Sequence, residues 1–307
     1  MRTALLICTR NRLADLQLTL PSVMREAKRS GAAVWVVDSS DPEPARAVER
    51  LTLDAGAVYL RFEGRPSLAR QRNAGVRAVP PETEYVLFVD DDVTLEAGYI
   101  KALVGFLDRH PDAVGAGGLL LDEVRPLSPA SRGLASWFRQ IFLISPRRPG
   151  GVAISGGESM GQWMDLREPT EVDWLSSCSV AYRRGAIERE PAEDRLEGYS
   201  LDEDIDLSYR IGHLGPLYVV PAARLLHRTS PSNRYDLDRM WRERVVHRYW
   251  FVEKNIRHPL RKPAFWWMMA GRLLNTVLSP HPDQPAIRRG LMRGMRDVWR
   301  RNHDLLR

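Results

Sequence analysis

The first ninety residues alternate short apolar runs with segments whose apolar residues recur every three or four positions. The apolar runs begin at Ala4, Ala33, Val58 and Tyr85. Runs of this length are typical of buried strands, and the 3–4 spacing is typical of helices. The resulting βαβαβαβ order predicts parallel strands in a sheet that helices cover on both faces. This alternation constrains the fold more than any other feature of the chain.

Further elements are predicted beyond this run, with less regularity. Asn11 is expected to cap the first helix, which Gly31 ends. Later strands are predicted at 113–118, 172–175, 179–182, 217–220 and 224–227, and helices at 201–212 and 240–251 and around 287–299. Between residues 122 and 170 the chain is rich in Pro, Gly, Ser and Arg. A stretch of this kind is either a functional region, here suited to binding a variable acceptor, or a poorly ordered insertion.

Composition is that of an ordinary globular protein of 307 residues, with 44% hydrophobic and 27% charged residues. Two cysteines, Cys8 and Cys178, are too few and too far apart for a disulfide framework. No signal peptide precedes the first strand. We therefore expect a protein of a reducing cytoplasmic compartment.

Three aspartates, Asp90, Asp91 and Asp92, directly follow the fourth apolar run. Like charges this close raise each other's pKa, so a cation or amide donors must neutralise them. Ligands of open α/β sheets bind beyond the carboxyl ends of the strands. We expect a divalent ion held by Asp90 and Asp92, and oxygen ligands favour Mg²⁺ or Mn²⁺ over zinc. The alternative is an acidic turn, with Thr94 and Glu96 starting the next helix.

Two other predicted strands also end in polar residues. Thr9 and Arg10 follow the first strand, and Asp38 follows the second, where it could accept a hydrogen bond from a base or ribose. Alternatively, Asp38 makes only an Asx-turn with the next amides. No Gly-x-Gly-x-x-Gly follows the first strand and no P-loop motif occurs, so neither a dinucleotide site nor a P-loop is supported.

A second acidic cluster, 202–206, contains four carboxylates at the start of a predicted helix. The helix dipole favours acidic residues there, but four in five residues also suggest a general base near an acceptor hydroxyl. His227 ends a late apolar strand and is either a surface histidine or a third metal ligand beside the aspartates.

Basic charge is concentrated at the end of the chain. Residues 257–307 contain eleven Lys or Arg against three Asp, a net charge of +8, together with Trp266, Trp267 and Trp299. No apolar run reaches the roughly 20 residues of a spanning helix. The C-terminal helices therefore suit either peripheral contact with an anionic membrane surface or a packed cap or homodimer interface. No nucleic-acid partner is expected.

Six motifs in order resemble family 2 glycosyltransferases of the GT-A fold, over roughly residues 3 to 235. They are Cys8-Thr-Arg-Asn-Arg12, Val37-Asp-Ser-Ser40, Ala69-Arg-Gln-Arg-Asn-Ala-Gly75, Phe88-Val-Asp-Asp-Asp92, the Asp202-Glu-Asp-Ile-Asp-Leu207 segment and Leu226-His227. The resemblance implies a Rossmann-like, mixed and mainly parallel sheet flanked by helices in residues 1–235. Residues 236–307 would form a C-terminal helical extension.

The resemblance also implies site residues and a reaction. Donor nucleotide contacts fall on Thr9, Arg10, Asp38, Arg72, Asn73, Asp90 and Asp91, a divalent metal (Mn²⁺ or Mg²⁺) on Asp92 and His227, the catalytic base on Asp204, and acceptor or sugar contacts on Trp174, Ser177, Asp202 and Glu203. The expected activity is inverting hexosyl or deoxyhexosyl transfer from a nucleotide-diphosphate sugar to an acceptor hydroxyl. The acceptor is a glycan, a lipid-linked compound or a small molecule, and residues 228–238 are a candidate lid.

One departure from the family pattern concerns the nucleotide. The usual Asp-Asp-Gly-Ser after the second strand is here Asp38-Ser-Ser-Asp41. A UDP-sugar is the default donor, with dTDP and GDP as alternatives. A different enzyme class, the haloacid-dehalogenase-like phosphatases, also uses an Asp-x-Asp motif such as Asp90-x-Asp92. Their motif follows the first strand, whereas three strand-helix units precede it here.

Overall fold

The structure is a computed structural model, and it describes residues 2–121, 133–198, 200–228 and 236–307. The chain divides into two compact units. The first unit consists of residues 1–126 and 161–233, and the second of residues 127–160 and 234–307. Most of the predicted lid and the start of the irregular stretch, at 229–235 and 122–132, lie outside the described residues.

Strands and helices alternate through the first part of the chain, as the sequence pattern predicts. In order they are β1 (Thr3–Thr9), α1 (Leu13–Ser30), β2 (Ala33–Asp38), α2 (Pro42–Asp54), β3 (Val58–Arg61), α3 (Leu68–Ala78), β4 (Tyr85–Asp90), β5 (Val93–Leu95), α4 (Tyr99–Arg109), β6 (Gly115–Leu120) and α5 (Leu134–Ile141). The later elements are a 3₁₀ turn (Gly161–Trp163), β7 (Thr170–Val172), β8 (Ser179–Arg183), α6 (Arg184–Arg189), α7 (Glu203–Ile211), β9 (Leu217–His227), α8 (Leu237–Asn255), α9 (Arg261–Leu278), α10 (Gln284–Arg300) and a 3₁₀ turn (Asp304–Leu306).

A mixed sheet runs through the first unit in the order β3-β2-β1-β4-β8-β6-β9-β5, and β7 pairs with β9. The strands from β3 to β4 are parallel, as are β6 and β9. The β4–β8, β6–β8, β5–β9 and β7–β9 pairs are antiparallel. The predicted α/β class, a mixed sheet flanked by helices, is therefore confirmed.

Two apolar cores lie on opposite faces of this sheet. Alternating side chains of β1 divide between them: Leu5 and Ile7 join one core, and Ala4 and Leu6 join the other. Helices α1, α2 and α4 contribute to the first core, and α3, α6 and α7 to the second. Helix α3 lies close to the sheet at Gly75, where a Cβ atom would come 2.9 Å from Cδ1 of Leu6.

Several local predictions were wrong. Asn11 does not cap α1: its φ is +54°, Arg12 is the capping residue, and the side-chain amide of Asn11 instead donates to Asp41. The alternative in which Thr94 starts a helix is also wrong, because Thr94 lies in the short strand β5. The strand predicted at 172–175 is three residues that end at Val172.

Two longer segments also differ from prediction. The two late strands are one continuous strand, β9, whose pairing with β6 shifts register between Gly117 and Leu119. Pro221, which has no N–H to donate, lies where β9 is irregular, and this explains why the sequence suggested a break. The stretch 122–170 contains helix α5, and the C-terminal part, predicted as helical, contains α9 in addition to the helices predicted at 240–251 and around 287–299.

The second unit is helical. Helix α8 buries Trp250 and Phe251, and α10 packs along it, with Gly294 close to Val245. Nε of Arg242 on α8 donates to Oδ2 of Asp297 on α10 at 2.6 Å. None of the described helices is long and apolar enough to cross a membrane.

Candidate functional site

The three adjacent aspartates lie at the carboxyl end of β4, where the sheet displays its polar groups. Asp90 ends β4, and Asp91 and Asp92 connect it to β5. Strand β5 pairs antiparallel with the end of β9, in a register that sets Val93 opposite His227. Nε2 of His227 consequently lies 3.0 Å from Oδ1 of Asp92. Sheet pairing thus brings together two residues that are far apart in the sequence.

Asp90, Asp92 and His227 form a group suited to a metal ion. One ligand atom from each lies within 4.8 Å of the others. Burial raises the pKa of Asp90, and the nearby Asp92 carboxylate raises it further. A bound cation would relieve both effects because it favours the charged carboxylates. Two carboxylates and one imidazole fit a divalent ion such as Mn²⁺.

The guanidinium of Arg12 forms ion pairs with Asp91 and Asp92, and Arg12 was not among the predicted site residues. Its Nη1 lies 2.7 Å from Oδ1 of Asp91, and its Nη2 lies 2.7 Å from Oδ2 of Asp92. Thr9 donates to the second Asp91 oxygen at 2.7 Å. Both oxygens of Asp91 are therefore bound within the fold, by Arg12 and Thr9. Oδ1 of Asp92 instead faces His227. The only sequence signal for this role was the position of Arg12 just after the first strand.

Arg72 on α3 connects the aspartates to the second acidic cluster. Its Nη2 lies 3.3 Å from Oδ1 of Asp90, and its Nη1 forms an ion pair with the buried Glu203. Nη2 also donates to the carbonyl of Ser177 at 3.3 Å. The guanidinium lies 5.1 Å from the centre of the Phe88 ring, a cation–π distance. The buried guanidinium of Arg72 therefore contacts the end of β4, the start of α7 and the segment before β8.

The four carboxylates around the start of α7 have different surroundings. Asp202 precedes the helix with a φ of +60°. Glu203 is paired with Arg72, and Asp206 with Arg210 at 3.0 Å. Asp204 makes no ion pair with any residue that the structure describes; its Oδ1 accepts from the amide of Ile205 at 2.9 Å.

Asp204 is chemically suited to accept a proton near neutral pH. Burial, together with the charges of Glu203 and Asp202, raises the pKa of Asp204 to about 7. A general base is most effective when its pKa lies near the working pH. Ser177 and Glu203 both contact Arg72, and Oγ of Ser177 and Oε1 of Glu203 are buried without a hydrogen-bond partner among the described residues. Buried polar atoms usually have partners, so this region suits a polar ligand.

Other predicted nucleotide-site residues are engaged elsewhere in the fold. Asp38 is fully buried and makes the Asx-turn bond from the Ser40 amide at 2.8 Å. Its other oxygen accepts from the Tyr59 hydroxyl at 2.9 Å. Asn73 anchors a loop by donating to the Ala192 carbonyl at 2.8 Å and accepting from the Ala192 amide at 3.0 Å.

Arg10 and Trp174 are two further predicted site residues. Arg10 is exposed, and its Nη2 lies 3.8 Å from Oδ1 of Asp41. Trp174 is buried in the segment between β7 and β8. Direct nucleotide contacts by Asp38, Asn73 and Arg10, and an acceptor contact by Trp174, stay predictions.

A second group of possible metal ligands lies in the helical unit and has another explanation. Glu243, His247 and His303 offer ligand atoms within 4.8 Å of one another. Nδ1 of His303, however, accepts from the Leu305 amide at 3.2 Å. A neutral ring then carries its proton on Nε2, which donates to Glu243 at 3.1 Å. This tautomer leaves no lone pair on Nε2 for a metal, so the group stabilises the end of the chain.

Comparison with known proteins gives a match over the first half of the chain. Residues 4–155 match the model of the family "Glycosyl transferase family 2". No curated protein matches the chain.

Several solved structures are similar in fold. The structure of GalNAc-T7 with UDP, GalNAc and Mn²⁺ matches with a TM-score of 0.59 at 15% identity, covering 92% of this chain and 58% of that one. The mannosyltransferase PcManGT from Pyrobaculum calidifontis, in complex with GDP-Man and Mn²⁺, gives 0.60 at 15% identity, covering 98% and 88%. S. aureus TarS 1–349 with UDP-GlcNAc gives 0.53 at 14% identity, covering 99% and 93%. At these identities the likenesses show the fold.

Proposed function

We propose that this chain, whose residues 4–155 match the model of glycosyl transferase family 2, transfers a sugar from a nucleotide-diphosphate donor to an acceptor hydroxyl, with inversion at the anomeric carbon. The observation that carries the proposal is the connection between two acidic groups. The Asp90, Asp92 and His227 group is joined through Arg72 to Glu203, the neighbour of Asp204. This arrangement combines a cation site with a general base.

Asp204 is the proposed base. It removes the proton of the acceptor hydroxyl as the hydroxyl oxygen forms its bond to the anomeric carbon. The bond from that carbon to the diphosphate oxygen breaks on the opposite face, and its electron pair leaves with the nucleotide diphosphate. The raised pKa of Asp204 makes it a stronger proton acceptor than an exposed carboxylate.

Asp90, Asp92 and His227 are the proposed holders of a divalent cation. Such an ion, when bound, neutralises the diphosphate and stabilises its growing charge as it leaves. The imidazole ligand favours Mn²⁺ over Mg²⁺, which prefers oxygen ligands and water. The protein's own contribution is to fix this set: Arg12 holds one oxygen of Asp92, and β-sheet pairing places His227.

The donor and acceptor are proposed only by class. UDP is the default nucleotide, with GDP and dTDP as alternatives, and hexosyl or deoxyhexosyl transfer is expected. Similar structures contain UDP, GDP-Man or UDP-GlcNAc, which supports a nucleotide-sugar donor without choosing among them. We propose acceptor or sugar contacts by Trp174, Ser177, Asp202 and Glu203, and a cytoplasmic location for the enzyme.

The phosphatase alternative has no support from the family match or from the similar structures. The side chain of Asp90, which would be its nucleophile, contacts Arg72 at 3.3 Å. The same carboxylates serve a transferase as cation ligands.

A thermal-shift screen tests the proposed donor class. UDP, GDP and dTDP are each added with Mn²⁺ or with a chelator, and Tm is measured. A ligand that binds only the folded state raises Tm, and at a given concentration a tighter ligand raises it more. One nucleotide should stabilise the protein, and only in Mn²⁺. Absence of stabilisation by all three nucleotides in Mn²⁺ would contradict the proposal.

A further inference from the structure

Helix α9 exposes a continuous apolar stripe. The exposed large residues on this face are Trp267, Leu274, Val277 and Leu278, with 47%, 41%, 65% and 66% of their surfaces accessible. Their spacing of seven, three and one residues, with exposed Ala270 between them, keeps them on one side of the helix. The opposite side of α9 is packed, with Phe265 and Met268 buried. These five residues are called the α9 stripe below.

Helix α5 extends the α9 stripe. The indole Nε1 of Trp267 donates to the carbonyl of Ile141 at 2.7 Å, and the Trp267 ring stacks on Phe142 with centroids 4.7 Å apart. Trp137 and Ile141 on α5 are themselves exposed. Together the two helices present a continuous apolar surface that includes the rings of Trp137, Phe142 and Trp267. On an ordinary protein surface, exposed apolar residues are instead scattered singly.

Helix α10 carries a basic face. Its buried side packs along α8, and its exposed side consists of Arg288, Arg289, Met292, Arg293, Arg296, Trp299 and Arg300. Arg289 and Arg293 share one carboxylate, that of Asp238. No ion pair is described for Arg288, Arg296 or Arg300 within the part of the chain that the structure covers. The basic face therefore has a large excess of positive charge.

The two surfaces meet at a pair of tryptophans. Trp299, the most exposed large apolar residue described, contacts Trp266 of α9 edge-on, with ring centroids 6.2 Å apart. Tryptophan is enriched where an apolar phase meets water. An apolar stripe beside an arginine-rich face is the pattern of helices that lie in the plane of a membrane surface.

We propose that the α9 stripe and the basic face of α10 dock on an anionic phospholipid bilayer. The apolar side chains enter the headgroup and acyl boundary, and the arginines contact lipid phosphates. This proposal rests on the proposed function in one respect: it names a lipid-borne hydroxyl compound as the acceptor class. The docking surface itself lies entirely in the second, helical unit and does not depend on the proposed reaction.

Charge favours a bilayer over a second copy of the chain as the occupant. A two-fold dimer through this surface would bring two arginine-rich faces together, and burying like charges is costly. An anionic bilayer instead supplies compensating charge at each arginine. Each basic residue near such a surface strengthens binding about fivefold at moderate salt.

Vesicle sedimentation tests the docking. The full chain is mixed with vesicles of phosphatidylcholine alone or of equal parts phosphatidylcholine and phosphatidylglycerol, and the bound fraction is measured. Binding to the anionic vesicles and its weakening by salt are expected. Arg296→Glu with Arg300→Glu should reduce partitioning by roughly 25-fold or more. Val277→Asp with Leu278→Asp should also abolish binding, because it places charge in the apolar stripe.

Matched controls lie on the first unit. Arg77→Glu removes an exposed arginine of α3, and Leu18→Asp charges an exposed leucine of α1; both should bind like the parent protein. No binding to anionic vesicles, or equal loss in the controls, would overturn the proposal. A dimer in sedimentation equilibrium that the α9 variant dissociates would also overturn it by identifying a second copy as the occupant. Nucleotide binding, measured separately by calorimetry, tests the proposed function independently.

Discussion

The carboxylates of Asp90 and Glu203, 113 residues apart in the sequence, contact the same guanidinium, that of Arg72. Asp90 belongs to the cation group and Glu203 adjoins the proposed base. Through this contact the two acidic clusters of the sequence belong to one site in the first unit. The site's geometry therefore depends on a buried ion pair.

Loss of Arg72 should destabilise the fold as well as the site. Arg72→Met leaves Glu203 buried without its cation, which typically costs about 3–5 kcal/mol of unfolding free energy. Adding Glu203→Gln removes the unpaired charge and should recover part of that loss. Arg65→Met, at an exposed ion pair with Glu197, is the control and should cost less than about 0.5 kcal/mol. Urea denaturation gives the unfolding free energies of the parent and the three variants. A fully stable Arg72→Met protein would argue against a structural role for the ion pair between Arg72 and Glu203.

Replacement of the base should abolish transfer without affecting donor binding. Asp204→Asn keeps the shape of the side chain but cannot accept the acceptor's proton, so kcat should fall about 10²–10⁴-fold. Asp112→Asn, at an exposed aspartate of the first unit that has no proposed role in the site, is the matched control. Its effect should be at most several-fold. Near-normal turnover by Asp204→Asn would mean that another group is the base.

Activity should depend on the protonation of Asp204. Its raised pKa, about 7, means that the carboxyl is protonated and inactive as a base below neutral pH. At saturating Mn²⁺, kcat/KM should fall about tenfold for each pH unit below about 7 and level off above it. A rate that is constant from about pH 5 to about pH 8 would exclude Asp204 as the titrating base.

The same pKa shift predicts a pH-dependent stability difference. Because the folded-state pKa is raised, the folded protein binds the Asp204 proton more tightly than the unfolded chain does, and this stabilisation disappears as the pH rises through about 7. The Asp204→Asn protein lacks this effect. Without metal, its stability relative to the parent should increase by roughly 1–3 kcal/mol between about pH 5 and about pH 8. Thermal denaturation at both pH values measures the change; a constant difference would contradict the shift.

Local sequence pattern was sufficient for the parallel half of the fold. The strands at Ala4, Ala33, Val58 and Tyr85 were each located because a buried strand and an amphipathic helix leave short-range signals. The three-residue strand β5 leaves no such signal, since its existence depends on pairing with β9. Two strands were predicted where β9 is continuous, because a proline such as Pro221 is ordinarily excluded from the interior of a strand.

The site residues could also be predicted in part from the sequence. The acidic clusters could be recognised as unusual, but the partners of their members could not. Arg12, just after β1, contacts Asp91 and Asp92, and Arg72 on α3 contacts Glu203 at the start of α7. Such contacts follow from tertiary packing, which no periodicity records. The fully buried Asp38 shows the converse, a candidate ligand whose bonds are already made within the fold.

The central claim is that Asp90, Asp92 and His227 hold the cation that binds the donor diphosphate, while Asp204 acts on the acceptor. Calorimetric titration of the stabilising nucleoside diphosphate, in Mn²⁺ and in chelator, tests it most directly. The parent protein and Asp204→Asn should bind more tightly in Mn²⁺, whereas Asp92→Asn should bind in Mn²⁺ only as weakly as the parent does in chelator. Unchanged Mn²⁺-dependent affinity in Asp92→Asn would contradict the claim.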